Sequence, residues 1–274
     1  MLNLEKSSEM RTYASAFCPK GTPTGKPSPF YVQQGNGARI QDIDGNTYMD
    51  YWCGAGPVIL GHANSAVNTA VIKAIEAGTV QFSIPSSLQV AVMAKLSEHI
   101  PCAEKGILAT AGSDALACVA RIARSYTGRP RLAKFEGGYQ GWHDELSVSN
   151  APDLSKAGNK EQPNTVPDSA GANIDKNSQT LVLPYNDLAT TEKILTKEKD
   201  AIACVIVEPM IHGNNLMPKE GFLEGLRELC SSLGILLVFD EIVTGFRHGL
   251  QGGQGAVNVI PDMGVFGKAM ANGF

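Results

Sequence analysis

Three apolar runs in this chain end on side chains able to do chemistry. CVIVE (204–208) closes on Glu208, ILLVFDE (235–241) on Asp240 and Glu241, and MGVFGK (263–268) on Lys268. A lysine that is partly desolvated and sits near other positive charge has its pKa drawn toward neutrality, so its amine can attack a carbonyl or carry a proton. A carboxylate at the end of a buried run is by itself equally a surface acid or a helix cap. Three such ends on one sheet edge, one of them a lysine, point to a site, because ligands of open α/β sheets bind outside the carboxyl ends of the strands.

Two further segments could complete it. Ala111-Gly112-Ser113-Asp114 joins an apolar run to a helical pattern. Free amides at a helix start attract an anion, the glycine allows close approach and Ser113 adds a hydroxyl. An ordinary capped helix explains the same residues, since serine and aspartate are good caps. Tyr139 stands in FEGGYQGWHDE, a glycine-rich turn after a strand pattern, where a ring could cover a flat ligand or pack against the loop. The five histidines have no metal-ligand spacing, so no metal is expected.

These residues need a sheet to hold them. GILAT (106–110), RLAKF (131–135), LVLPY (181–185) and the three runs above read as strands. SDALACVARIARSY (113–126) and FLEGLRELCSSLG (222–234) read as helices ended by Gly128 and Gly234, the first with Ala115, Val119, Ile122 and Tyr126 on one face. The alternation predicts an α/β fold with a mostly parallel sheet covered on both sides. Upstream, residues 1–30 read as an extended arm, and ARIQDIDGNTYMDY as a hairpin turning at Asp44-Gly45. The Asp-x-Asp-Gly there lacks the further acids of a calcium loop. Helices are expected from about Ser65 to Ala77 and Ser86 to His99. Residues 151–178 are polar and rich in Pro, Gly, Asn and Ser, either a cover for the cleft mouth or an inert surface loop.

Composition narrows the class. The chain has 274 residues, 43% of them hydrophobic, and a net charge of −4, enough apolar content for a sizeable core and no basic stripe for nucleic acid. No apolar run is long enough to span a membrane, and the polar N-terminus is not a secretory signal. Six scattered cysteines without a Cys-x-x-Cys pair read as reduced core residues of a cytoplasmic protein.

Taken together, YMDYWCGAGPVILGH, TAGSDALACVARIARSYTGRPRLAKFEGGYQG, LPYNDL, IACVIVEPM, GILLVFDEIVTGFR and PDMGVFGKAMANGF resemble the class III aminotransferases, most closely the branch containing glutamate-1-semialdehyde aminomutase. Lys268 follows Asp240 by 28 positions, as that pattern expects. The resemblance implies a fold-type-I large domain of three α/β/α layers (61–274), with an N-terminal arm and hairpin (1–60) belonging to a small domain. It implies pyridoxal 5′-phosphate as cofactor. Lys268 would carry it as a Schiff base and shuttle the proton, and Asp240 would keep the pyridine nitrogen protonated. Gly112 and Ser113 would bind the phosphate, and Tyr139 would stack on one ring face. Ile242, where the family usually has valine, would pack on the other face, and Glu208 would support the site. Small-molecule amino donors and oxo acceptors, and a homodimer, are implied partners.

Departures from the family pattern qualify the activity. Ala-Gly-Ser-Asp-Ala (111–115) replaces Ser-Gly-Thr-Glu-Ala, and Gln140 replaces the histidine that usually follows the stacking tyrosine. Ala55 stands where the aminomutase branch has tryptophan, which removes a pocket wall. No acid follows Glu208-Pro209 before Lys219, unlike relatives that act on terminal amines of diamino acids. Relatives continue for about 150 residues past the lysine, a domain's length, so the chain reads as truncated. Expectations are therefore an aminotransferase, alternatively glutamate-1-semialdehyde 2,1-aminomutase, or an inactive fragment of such an enzyme.

Overall fold

The computed structural model describes residues 2–78, 84–213 and 215–274. The chain forms two compact units, Met1–Gln81 with Ala271–Phe274, and Phe82–Met270.

In the first unit, α1 (Glu5–Ala14) lies within the segment expected to be an extended arm. Its sequence carries no apolar stripe and its own N-cap, Leu4, offers no capping side chain. The cap comes from the hairpin turn instead: Asp44 accepts from the Lys6 and Ser7 amides at 2.7 and 3.0 Å and from Ser7 Oγ at 2.5 Å. A cap supplied by a residue 38 positions away leaves no local signal. The hairpin is a three-stranded antiparallel sheet of β1 (Val32–Asn36), β2 (Arg39–Asp42) and β3 (Thr47–Met49). Buried Asp42 fixes its turn, accepting from Asn46 N at 2.8 Å and Tyr48 Oη at 2.7 Å. The helix α2 (Ser65–Glu76), capped by Asn64, completes the unit.

The second unit opens with α3 (Ser87–His99), held by a Ser86/Gln89 capping box. Then come α4 (Gly112–Thr127) and β4 (Arg131–Phe135). A short hairpin, β5 (Gly158–Asn159) and β6 (Gln162–Pro163), and one turn of helix, α5 (Ile174–Asn177), interrupt the long polar excursion. The alternation follows: β7 (Thr180–Leu183), α6 (Leu188–Glu198), β8 (Ile202–Val207), α7 (Phe222–Leu233), β9 (Leu236–Glu241), α8 (Gly252–Val257) and β10 (Met263–Phe266). The sheet order is β10-β9-β8-β4-β7 and every pairing is parallel.

Strand alternation builds three layers. Val205, Val207, Leu237 and Phe239 face α6 and α7, packing on Leu195, Phe222, Leu223 and Leu226. Cys204, Ile206, Val238 and Val265 face α4, packing on Leu116, Val119, Ala120 and Ala123. That buried stripe differs from the expected face, since Ile122 is 41% and Tyr126 80% exposed. Leu116 begins a tighter i, i+3, i+4, i+7 series of small and medium side chains that lets the helix approach the sheet. GILAT is not a strand: no ladder forms along 106–110, and Ile107 is 70% exposed. An apolar run becomes a strand only beside a neighbour that takes its backbone hydrogen bonds.

One buried charge stands out in β4. Lys134 is fully buried, and its Nζ donates to the carbonyls of Gly138 and Val148 at 2.6 Å each and of Leu146 at 3.5 Å. Burial pulls its pKa down to about 8 against the pull of nearby carboxylates. The amine ties the chain leaving β4 into one folded loop. Lys134→Met keeps the apolar stem and orphans those acceptors, at a cost of about 3 kcal/mol. Urea unfolding should show a midpoint lowered accordingly with an unchanged slope.

Candidate active site

All seven residues singled out by sequence lie in the second unit. The chain passes from β4 to β7 on one side, then from β7 across to β8 on the other. The β4/β8 boundary is therefore the point where strand order reverses, and its carboxyl edge is where a ligand is expected. Register places the acids there. Val207 pairs with Phe239, so the next step sets Glu208 beside Asp240, both on the α4 face. Both are only 3% exposed. Alternation sends the adjoining Glu241 the other way. Its carboxylate accepts from Thr244 Oγ1, the Gly253 amide, and the amide and Nε2 of Gln254, so it anchors α8.

Glu208 joins two loops. Its Oε1 accepts from the Tyr139 amide at 3.1 Å and Gln140 Nε2 at 3.2 Å. Its Oε2 accepts from the His212 amide at 3.1 Å and pairs with His212 Nδ1 at 2.5 Å. Asp240 has a leaner shell. Ile242 N donates to its Oδ1 at 3.1 Å, and burial followed by the Glu208 charge pushes its carboxyl up to about 7.

Lys268 begins just past β10, which runs parallel to β9 with Val265 opposite Asp240. Its backbone is left-handed, φ 43°, an unfavourable state for a lysine and one that concentrates at functional sites. Partial burial lowers its pKa first, and the Arg247 charge lowers it further, while Asp240 and Glu208 oppose. The amine is thus biased toward its neutral, nucleophilic form.

Ile242 connects the remaining pieces. A Cβ on Gly112 would lie 2.6 Å from its Cδ1, and one on Gly267 would lie 3.6 Å from its Cγ2. Ile242 therefore touches both the start of α4 and the residue before Lys268. The start of α4 has no side-chain cap, because Ala111 is the N-cap and Asp114 bonds Thr110 instead. Ser113 Oγ accepts from Trp142 N at 3.4 Å, and Gly141, at φ 93°, leaves no room for a side chain against it. Tyr139 is anchored through its amide while its side chain is half-exposed.

Sequence reasoning missed His212 and Arg247. Metal-ligand spacing is the wrong signal for the histidines. His212 lies four residues past Glu208, and its position beside that acid is a product of the loop's fold. Its pKa is raised, chiefly by its bond to Glu208. Arg247 closes DEIVTGFR and acts through charge on Lys268.

The class-III aminotransferase family model matches residues 21–274. Among curated proteins, the chain is 37% identical to a glutamate-1-semialdehyde 2,1-aminomutase of Methanosphaera stadtmanae, covering 100% of this chain and 63% of that one. It is 41% identical to glutamate-1-semialdehyde 2,1-aminomutase 2 of Lachnoclostridium phytofermentans, covering 90% and 56%. The chain thus spans about three fifths of these relatives' length. Among solved structures, an omega-transaminase from Sphaerobacter thermophilus superposes with a TM-score of 0.89 at 33% identity, over 96% of this chain and 60% of that one. A glutamate-1-semialdehyde aminomutase from Pseudomonas aeruginosa in complex with PMP does so at 0.85 and 28%, over 98% and 58%.

The raised Asp240 carboxyl has a measurable consequence. The native chain keeps a proton there up to about 7, whereas an unfolded aspartate loses it near the ordinary value of 3.8. Below the unfolded value this group's stabilising contribution is complete, and it is lost as pH rises through the folded value. Asp240→Asn preserves shape and removes the titration. Between these pH values the melting temperature of the parent, without added ligand, should fall relative to the variant, leaving the variant the more stable at slightly alkaline pH. Parallel curves would contradict the buried-charge account.

Proposed function

Because the chain belongs to the class-III aminotransferase family, we propose that it uses pyridoxal 5′-phosphate to move an amino group between an amino acid or amine and an oxo acid or aldehyde, with Lys268 holding the cofactor. The supporting observation is the pairing of a desolvated amine, Lys268, with a buried acid, Asp240, at the carboxyl ends of neighbouring parallel strands.

The residues present suit such a group. An uncapped helix start at Gly112 and Ser113 leaves backbone amides for a phosphate, and Gly112 has no Cβ to intrude. A carboxyl as buried as Asp240 demands a partner, and a ring N–H is one. Bound there, the cofactor supplies an electron sink for negative charge on the substrate carbon that bears the amino group.

The chain's own groups do the rest. Asp240 would hold the proton on the ring nitrogen. Ile242 would set the ring's height over the sheet, and Tyr139 would cover the opposite face. Lys268 Nζ would carry the proton between the substrate carbon and the cofactor carbon. Its lowered pKa favours that transfer. Glu208 would keep Tyr139 in place through the Tyr139 amide. A homodimeric assembly in the cytoplasm is part of this reading.

The second reading, glutamate-1-semialdehyde 2,1-aminomutase, uses the same machinery and is favoured by the curated relatives that carry that name. Ala55 in place of the branch's tryptophan favours the broader transaminase reading.

Adding pyridoxal phosphate to the purified chain should produce a visible absorption band that Lys268→Ala lacks. Where the chain turns over, that variant should lose about 10²–10⁴-fold in rate, the scale of a lost general acid–base group. Product analysis with glutamate-1-semialdehyde, with and without an added oxo acid, separates internal transfer from transfer between molecules. The same band in parent and variant would exclude Lys268 as the cofactor residue.

A further inference from the structure

Asp240 and Glu208 stand side by side on adjacent strands, both almost wholly buried. Two carboxylates in such a place do not both ionise unless a cation answers one of them. Four donors reach Glu208: Tyr139 N, Gln140 Nε2, His212 N and His212 Nδ1. Of these only the His212 ring can bring a full charge. Position 140, next to Tyr139, is a neutral amide that is itself 1% exposed and leaves its own Oε1 without a partner. The imidazole is thus delivered from the loop after β8, with its amide and its ring nitrogen both on the same carboxylate oxygen.

We propose that His212 is a positioning residue: its imidazolium neutralises Glu208 and thereby allows Asp240 to ionise where it meets the cofactor's ring nitrogen. The last step rests on the cofactor reading above; the coupling of His212, Glu208 and Asp240 belongs to the protein alone. The other charged or titratable groups acting on these three come from separate elements: Lys134 on β4, Tyr185 after β7 and Lys268 after β10. Arg247 acts on Lys268. Loss of the His212 proton leaves Glu208 as an uncompensated anion. Asp240 then holds its own proton more tightly and is a poorer partner for a ring N–H.

The test uses the full chain without cofactor, labelled with carbon-13 at aspartate carboxyls, the Asp240 signal being assigned through Asp240→Asn. In the unmutated protein the Asp240 signal should show a second step at the pH where the His212 ring titrates. His212→Gln should raise the Asp240 midpoint by about one pH unit, tenfold in proton affinity. In a Glu208→Gln background the same substitution should leave the midpoint unmoved. An Asp240 signal blind to His212 titration overturns the proposal, and this needs no variant of His212 to fold. An equal shift in both backgrounds overturns it too. Failure of the cofactor reading would appear separately, as no visible band on adding pyridoxal phosphate while the coupling persists.

Discussion

Asp240 and Glu208 share one edge of the sheet, cut off from water, and an ion pair or proton must answer each of them. Much of the surrounding architecture can be understood as that answer. Glu208 receives two loop amides, a side-chain amide and an imidazole. Among the described residues, Asp240 receives one backbone donor, from Ile242, and it holds its proton toward neutrality. The better-satisfied acid ties two loops together, and the less satisfied one keeps its proton. That division of labour follows from hydrogen-bond supply, since the two are the same chemical group at the same depth.

The parallel sheet makes the arrangement possible. Its strands all present their carboxyl ends to one edge, so side chains far apart in sequence arrive together at or just past the strand ends. The apolar strands bury themselves between α4 and the α6/α7 layer and hold the edge still. Lys134 extends this rigidity outward, because a buried amine shared among loop carbonyls fixes the segment that carries Tyr139. Ile242 then bridges the start of α4 and the turn at Lys268, so the uncapped helix start and the amine are related through one side chain.

Much of this was legible in the residues themselves. Apolar runs ending in Glu208, Asp240 and Lys268 identify the strands, since burial demands the run, and set those three side chains at one edge of the sheet. Gly128 and Gly234 stop their helices in left-handed caps as read. What escaped depends on distant partners. The cap of α1 comes from Asp44, which no local pattern announces. The 106–110 run has strand composition and no neighbour to pair with. The buried face of α4 is chosen by the sheet it meets, which prefers alanines over Ile122. His212 matters through the acid it touches, so its residue type was informative only once the loop after β8 had been traced.

The opposite fates of Asp240 and Glu241 carry one more implication. One acid stands on the α4 face and the next anchors α8, and the odd–even count of residues along β9 decides which does which. Deleting or inserting a single residue upstream in that strand would exchange them, pointing the longer acid to the α4 face and the shorter one to the opposite face. Evolution can therefore alter side chains along this strand far more freely than it can alter its length, and engineered variants of this sheet face the same restriction.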